Sequence, residues 1–407
     1  MTSAARRVAV TGVGAISALG HDAPQTWAAL CGGRSGIARI ESVDVAGFRF
    51  QNGAEVKGFD PAAHFDPGRL DLLDRFAQFA VVAAREAVRD SGVELTPELG
   101  ERTAVFTGSS LGGQNTQDAA FVELYQRKSG RVHPLSIPKC MANAGASQIA
   151  MEFGLTGPCL TVSTACSSAN HAIGQAFWMV RSGAVDLALA GGSEAPFSPG
   201  HLKAWEAMRV VAPDTCRPFS VDRRGLILGE GGAMLILEPL EAARARGARV
   251  VAELAGFGMS CDAHHATQPT VAGPARAMRA ALADAVLAAE DVGYINAHGT
   301  GTRGNDAAEA RAIREVFGAH ADRLAVSSTK SMHGHALGAA GALEAVATVL
   351  ALANGTLPPT ANFTSPDPEC DLDVVPDRAR AASPGAALSN SFAFGGLNAV
   401  LAFRAVR

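Results

Sequence analysis

Short apolar runs of strand length alternate with longer runs of helical periodicity along this chain, and that alternation leaves few architectures open. Arg7–Thr11, Thr103–Thr107, Cys159–Val162, Leu187–Ala190 and Ala233–Leu237 read as buried strands. Between them, Leu73–Ser91 and the segment after Cys166 carry apolar residues at helical spacing. The pattern resumes with strand-like Val250–Met259, Tyr294–Ala297, Ala325–Ser328 and Ala399–Phe403, and with helix candidates Arg276–Leu287, Ala307–Phe317 and Ala340–Asn354. Alternation of this kind predicts α/β layers. At 407 residues the chain exceeds the usual span of one compact domain, so two domains or two fused halves are expected. A weak internal repeat supports the second option. Gly231–Gly232 leads into AMLILE, and Gly395–Gly396 leads into LNAVLAF. The boundary falls near Ala248, in the Arg/Ala-rich stretch EAARARGARV, giving similarly folded halves over residues 1–248 and 249–407. No low-complexity linker separates them, so the halves are expected to pack tightly.

Hydrophobic residues at 48% against 18% charged describe a globular protein with a large core. A formal net charge of −4 leaves no overall basic footprint for nucleic acid, although a local basic patch stays open. The seven cysteines show no paired spacing and no C-x-x-C, which suggests neither a disulfide scaffold nor a zinc site. The thiols are read as reduced and the protein as cytoplasmic. Arg6–Arg7 followed by VAVTGVGAISALG can imitate a signal peptide, but Thr11, Gly12 and Gly14 interrupt it and fit a first strand and turn better. No uninterrupted apolar run approaches ~18 residues, so no membrane-spanning segment is expected.

Three segments carry chemistry. In TVSTACSSANHAIGQAFWMVRSG, a strand, a small-residue turn and a helix follow one another, and Cys166 falls at the turn. Helix N-terminal N–H groups and the helix dipole favour a thiolate there. A buried structural cysteine is the bland alternative, and it is the reading adopted for Cys31, Cys140, Cys159, Cys216, Cys261 and Cys370, which lack such a setting. NAHGTGTRGND places His298 after a strand in a glycine-rich loop, and SSTKSMHGHALGAAGALE does the same for Lys330, His333 and His335. Strand C-terminal ends are where α/β proteins build sites. A lone histidine is usually a satisfied core or surface residue. Two glycine-loop histidines beside one of only five lysines are harder to explain that way.

These segments, with the opening RRVAVTGVGAISALG and the closing NSFAFGGLNAVLAF, resemble the β-ketoacyl-acyl carrier protein synthases of the thiolase-like superfamily, the elongating enzymes of fatty-acid and polyketide synthesis. The motifs TACSS, NAHGTGT, STKSMHGHALGAAG and SFAFGG occur in the family's order, and the resemblance covers essentially the whole chain. It implies a duplicated five-layered α/β/α/β/α fold and decarboxylative condensation of an acyl thioester with a malonyl thioester. By position, Cys166 would attack the donor thioester and hold the chain. His298 and His335 would serve malonyl decarboxylation, and Lys330 would organise the second histidine and the charge balance. The backbone N–H groups of Cys166 and Phe394 would form the oxyanion hole. Thr300 and Thr302 match hydroxyls that contact the phosphopantetheine arm, Leu111 matches a residue of the acyl pocket, and Phe392 and Ala393 belong to a substrate-gating loop. Asp306, Glu309 and Glu344 match acidic positions whose expected job is holding loops and helices around the site. The resemblance implies no bound metal or redox cofactor, since the carrier protein's phosphopantetheine arm carries the substrate. It also implies an acyl carrier protein as partner and a homodimer or a heterodimer with a related ketosynthase-like subunit.

Four positions depart from the housekeeping pattern. Ala393 and Leu397 replace Gly and Thr in FAFGGL, His333 replaces Thr in KSMHGH, and Leu226 replaces an aromatic in GLILG. They leave a specialised type II polyketide or polyene enzyme at least as plausible as a general fatty-acid one. Three rivals are weighed: a non-condensing chain-length-factor subunit, which lacks the cysteine; a degradative thiolase, which uses a second cysteine as base; and an initiating synthase, which uses a Cys–His–Asn set. Carrier proteins are acidic, so a basic contact patch is expected. Arg127, Lys128 and Arg131 form one candidate and Arg69 and Arg75 another, each with an ordinary solvated face as the alternative.

Overall fold

In a computed structural model describing residues 5–406, the first strand, β1 (Val8–Ser17), is buried along its whole length. Its glycines answer to a helix lying directly on it. A Cβ at Gly12 would stand 2.2 Å from the Ala87 carbonyl oxygen, and one at Gly14 would stand 2.1 Å from that of Ala83. Both carbonyls belong to α1 (Arg75–Ser91), which Asp74 caps by accepting the Phe76 N–H.

The other strands of the main sheet are β2 (Thr103–Gly108), β3 (Cys159–Val162), β4 (Leu187–Glu194), β5 (Gly231–Pro239), β6 (Ala252–Cys261), β7 (Val292–Asn296), β8 (Ala325–Ser327), β9 (Asp373–Val374), β10 (Ala386–Ala393) and β11 (Leu397–Arg404). In space they run β9-β8-β7-β10-β11-β6-β1-β5-β4-β2-β3. That order is a duplication. In the first half β1 lies antiparallel to β5, β5 antiparallel to β4, and β4 and β2 parallel to their next neighbours. In the second half β6, β11, β10, β7 and β8 repeat the same pairings in the same senses. The halves meet where β1 pairs antiparallel with β6, Val8 opposite Leu254 and Val10 opposite Ala252.

Helix α1 covers the outer face of the first half's sheet, and α3 (Ala272–Ala285) covers that of the second, with α4 (Arg303–Phe317) packed against α3. Between the sheets lie α2 (Ser168–Ser182) and α5 (Ala340–Asn354), each touching strands of both halves and each other. The result is an α/β/α/β/α stack, which agrees with the α/β layers predicted from the alternation and with the five layers that the resemblance implies. The stretch Leu337–Asn354 is long and apolar enough to cross a membrane, yet 83% of it is buried inside the fold as the central layer. Burial on every side explains why α5 shows an apolar surface all round rather than one stripe.

Strand β10 was not legible beforehand. Its core reads LSNSF, and Ser389, Asn390 and Ser391 are buried though polar. Buried polar groups are tolerated where they are bonded. Asn390 Nδ2 donates to Glu309 at 3.2 Å and the Ser389 backbone carbonyl accepts from Asn170 Nδ2 of α2 at 3.1 Å, while the Ser389 and Ser391 hydroxyls have no partner among the described residues.

The central layer has little slack. A Cβ at Gly174 of α2 would stand 2.4 Å from the ring of Phe257 on β6. Gly174→Val should therefore cost about 1–3 kcal/mol, because the ring is locked in the core. Urea melts should show this as a lower midpoint, whereas Gly385→Ala, whose added methyl meets nothing closer than 4.0 Å, should leave the midpoint near that of the parent.

Candidate active site

Cys166 sits on a sharp strand-to-helix turn between β3 and α2. Ala165, just before it, has φ 50°, a left-handed conformation costly for a residue with a Cβ. Short side chains hold the turn. Ser168 Oγ accepts the Thr164 N–H at 2.9 Å and donates to the Ala165 carbonyl at 2.6 Å, and Ser167 Oγ donates to the Thr164 carbonyl at 2.9 Å. The TACSS motif is thus a turn that fastens itself.

His298 follows β7. Its loop hangs from α4: Glu309 accepts the N–H groups of His298 and Gly299, each at 2.8 Å, and Asp306 accepts those of Phe219 at 2.9 Å and Gly301 at 3.2 Å. The third loop follows β8 and carries Lys330 and His335 into α5. Lys330 is fully buried and bonds the equally buried Glu344. Cys166 and His335 therefore occupy corresponding places, each between the third strand of its half and a central helix.

These loops share one cavity of about 210 Å³, lined by Cys166, His298, His335, Thr300, Thr302, Phe392, Ala393 and Phe394. The imidazoles of His298 and His335 meet edge to face with centroids 5.4 Å apart. His335 Nδ1 accepts the Leu337 N–H at 3.2 Å. In a neutral ring the proton then belongs on Nε2, which makes His335 a donor. Burial and the Lys330 charge hold both histidines well below the ordinary imidazole range, so both are neutral. The Thr300 and Thr302 hydroxyls bond each other at 2.8 Å.

The expectation that the helix N-terminus leaves Cys166 as a thiolate is corrected. Burial pushes the thiol up to about 11, and the opposing pull of Lys330 and of the Phe394 and Cys166 N–H groups does not overcome it. The resting group is a thiol surrounded by donors that favour its anion.

Other readings also change. Leu111 does not line the cavity; it packs with Leu226, Leu337, Trp205 and Phe394 in an adjacent apolar cluster. Ala393 is extended, with φ −110° and ψ 159°, so its methyl meets no left-handed penalty; Gly395 and Gly396 take the positive φ angles instead. His333 is buried outside the cavity lining, with one ring nitrogen against the Gly334 carbonyl at 2.8 Å and the other against Thr329 Oγ1 at 3.0 Å. Arg69 and Arg75 are half-buried and ion-paired, with Glu152 at 3.0 Å and Glu230 at 2.7 Å. Arg127, Lys128 and Arg131 are exposed.

Sequence reading missed Glu194, Trp205 and the loop over residues 262–269. Glu194 ends β4 fully buried and accepts from Ser109 Oγ at 2.9 Å, Ser110 N at 2.7 Å and Gly338 N at 3.1 Å, tying the Leu111 turn to the start of α5. A lone carboxylate closing the apolar run LALAGGSE was its only signal. The loop over 262–269 lines the cavity and reaches the SFAFGG turn, where Ala266 accepts the Gly395 N–H at 2.8 Å. Among the described residues no group of three or more His, Cys, Asp or Glu side chains is placed to hold a metal ion. Asn296 Oδ1, Asn390 Oδ1 and Glu344 Oε2 are buried without a hydrogen-bond partner among the described residues.

The comparisons with known proteins agree with this geometry. Residues 5–243 match the beta-ketoacyl synthase N-terminal domain and residues 251–364 the C-terminal domain of the same family. Nodulation protein E of Rhizobium sp. (strain N33) is 50% identical over 401 residues, covering 98% of this chain and 100% of that protein. A 3-oxoacyl-(acyl-carrier-protein) synthase 2 of Staphylococcus aureus (strain COL) is 40% identical over 406 residues, covering 98% of each. The ishigamide ketosynthase/chain length factor structure superposes with a TM-score of 0.93 at 41% identity, covering 99% of this chain and 100% of that one. The chain belongs to the beta-ketoacyl synthase family, with the thiolase-like fold and the acyltransferase class that membership carries.

A raised thiol and a nearby buried cation give a measurable signature. Alkylation of Cys166 by iodoacetamide depends on the thiolate fraction, so its rate should keep rising with pH and reach no plateau below about pH 10. Lys330→Met removes the charge that draws the thiol down and should slow alkylation at pH 8. Mass spectrometry of the labelled peptide across pH 6–10 checks both.

Proposed function

We propose that this protein performs the decarboxylative condensation of a Cys166-bound acyl chain with a malonyl group on an acyl carrier protein. One observation carries the assignment of roles: a thiol, two neutral imidazoles and the Phe394 N–H converge on one cavity. In the first step the Cys166 sulfur attacks the donor thioester carbonyl. The tetrahedral oxyanion is held by the Cys166 and Phe394 N–H groups, and collapse expels the phosphopantetheine thiol, which takes the proton from Cys166. In the second step the malonyl C–C bond breaks, carbon dioxide leaves, and the electron pair flows into the thioester oxygen. The His335 Nε2–H and His298 hold that enolate oxygen. Their neutrality matters, since an imidazolium would protonate the nucleophilic carbon. The enolate carbon then attacks the acyl carbonyl on Cys166, collapse of the adduct breaks the carbon–sulfur bond, and the departing Cys166 thiolate takes a proton from solvent.

Lys330 supports both steps at a distance, drawing the thiol down and keeping the imidazoles neutral. Thr300 and Thr302 are assigned to the phosphopantetheine arm on the family resemblance, and their place in the cavity lining with His298 supports it. Asp306, Glu309 and Glu344 are assigned to loop support through the bonds given above. Phe392 and Ala393 face the same cavity and are assigned to the substrate. A chain-length-factor role is disfavoured by a complete set of reacting groups. The same reading includes a chain that works in the cytoplasm, as one subunit of a homodimer or of a heterodimer with a related subunit. It also includes two halves divided at 248/249, which the duplicated strand order supports.

The half-reactions separate the roles. Cys166→Ala should lower acyl loading below about one-thousandth of the parent while malonyl-carrier protein still loses carbon dioxide, because different residues serve the two transition states. His298→Ala and His335→Ala should keep acyl loading and lose decarboxylation. Intact-mass loading beside carbon dioxide release reads each variant. Condensation persisting in Cys166→Ala would show that another nucleophile acts.

His333, bonded at both ring nitrogens outside the cavity, is assigned an accessory place. His333→Thr should retain most condensation activity, measured as β-ketoacyl product. A loss as deep as that of His335→Ala would reassign it.

A further inference from the structure

The helix Pro199–Met208 presents Trp205 to the wall of the cavity and sets His201 one turn before it, outside the lining. The Trp205 ring is nearly parallel to that of Phe394, at 26° with centroids 6.2 Å apart. Its indole N–H donates to His201 Nε2 at 2.7 Å. That acceptor role requires a neutral ring with its proton on Nδ1, and burial, opposed only by the nearby Asp118 carboxylate, keeps His201 neutral by holding it down at about 4. Asp118 also accepts the Gly200 N–H at 2.8 Å and so fastens the start of the helix. Leu226, Leu337 and Phe197 surround the indole, so swinging it away from His201 would leave an N–H unpaired among apolar groups.

Phe394 needs such support. It is followed by Gly395 and Gly396, at φ 81° and 73°, and a turn ending in two glycines has little stiffness of its own. One side is held by the Gly395 N–H on the Ala266 carbonyl, and the other faces Trp205. Phe394 and Cys166 line the same cavity, and the Phe394 N–H, with that of Cys166 itself, favours the Cys166 anion.

We propose that His201 is a positioning residue for acyl transfer: by holding the Trp205 indole flat on Phe394, it keeps the Phe394 N–H aimed at the reacting centre on Cys166. This rests on the assignment of Cys166 as nucleophile.

Intact-mass time courses of acyl loading at saturating acyl-carrier protein test it. His201→Leu and Trp205→Phe should each slow loading about tenfold, with the donor concentration for half-saturation unchanged within about twofold, as loss of one buried hydrogen bond acting in the transition state predicts. The double variant should be no slower than either single one, because both remove the same bond. His201→Gln, which restores an acceptor, should recover loading to within about threefold of the parent. Retained malonyl decarboxylation in each variant shows that it is folded. Multiplicative losses in the double variant, no rescue by His201→Gln, or unchanged loading in His201→Leu would each overturn the proposal. A parent protein that loads no acyl chain would instead sink the condensing reading. In that case acrylamide quenching still decides the latch. The Trp205 emission, isolated by subtracting Trp205→Phe from the three-tryptophan parent, should be more accessible in His201→Leu and restored in His201→Gln.

Discussion

A lysine ammonium with no contact with solvent demands an anion beside it, and in this protein the Lys330–Glu344 pair satisfies that demand at the centre of the fold. Breaking such a pair from one side costs about 3–5 kcal/mol, since it strands a buried charge. Its placement is as important as its strength. Lys330 belongs to the loop after β8 and Glu344 to the central helix α5, so the pair pins the histidine loop to the layer shared by both halves. The same charge acts on the sulfur and on both imidazoles, drawing the thiol down and holding the rings neutral. Burial raises Glu344 to about 7 against the pull of the Lys330 charge.

Duplication explains why the site lies where it does. Each half runs its third strand into a central helix, and the two central helices pack against each other between the sheets. The turn before the first carries Cys166, and the loop before the second carries His335. Neither half contains a complete site. The second strand of the second half adds His298, and the hairpin β10–β11 adds Phe394.

The parts of this arrangement that were legible in the chain share a property: they are local. TACSS reads as a strand-to-helix turn because its serines bond their own backbone. NAHGTGT and SMHGH read as ligand loops because glycines and polar residues follow apolar strands. The glycine pairs before AMLILE and LNAVLAF betrayed the repeat. What stayed hidden depended on neighbours distant in sequence. Strand β10 carries Ser–Asn–Ser where a buried strand usually carries apolar side chains, and its bonds to the amide of Asn170 and the carboxylate of Glu309 come from far along the chain. Arg75 resembled a surface cation until Glu230, 155 positions away, accounted for it.

The sequence by itself determined the alternation of elements, the doubled architecture and the motifs that hold Cys166, both histidines and the lysine, because periodicity and short motifs encode local geometry. Only the tertiary structure decided the protonation of the site and its walls. The thiol is raised rather than depressed because desolvation is a property of everything packed around the sulfur. His335 is a donor because the Leu337 N–H occupies its other nitrogen. Trp205 belongs to the site because packing lays it on Phe394. Burial and electrostatic potential sum over atoms that the chain brings together only when it folds, and no window of sequence contains that sum.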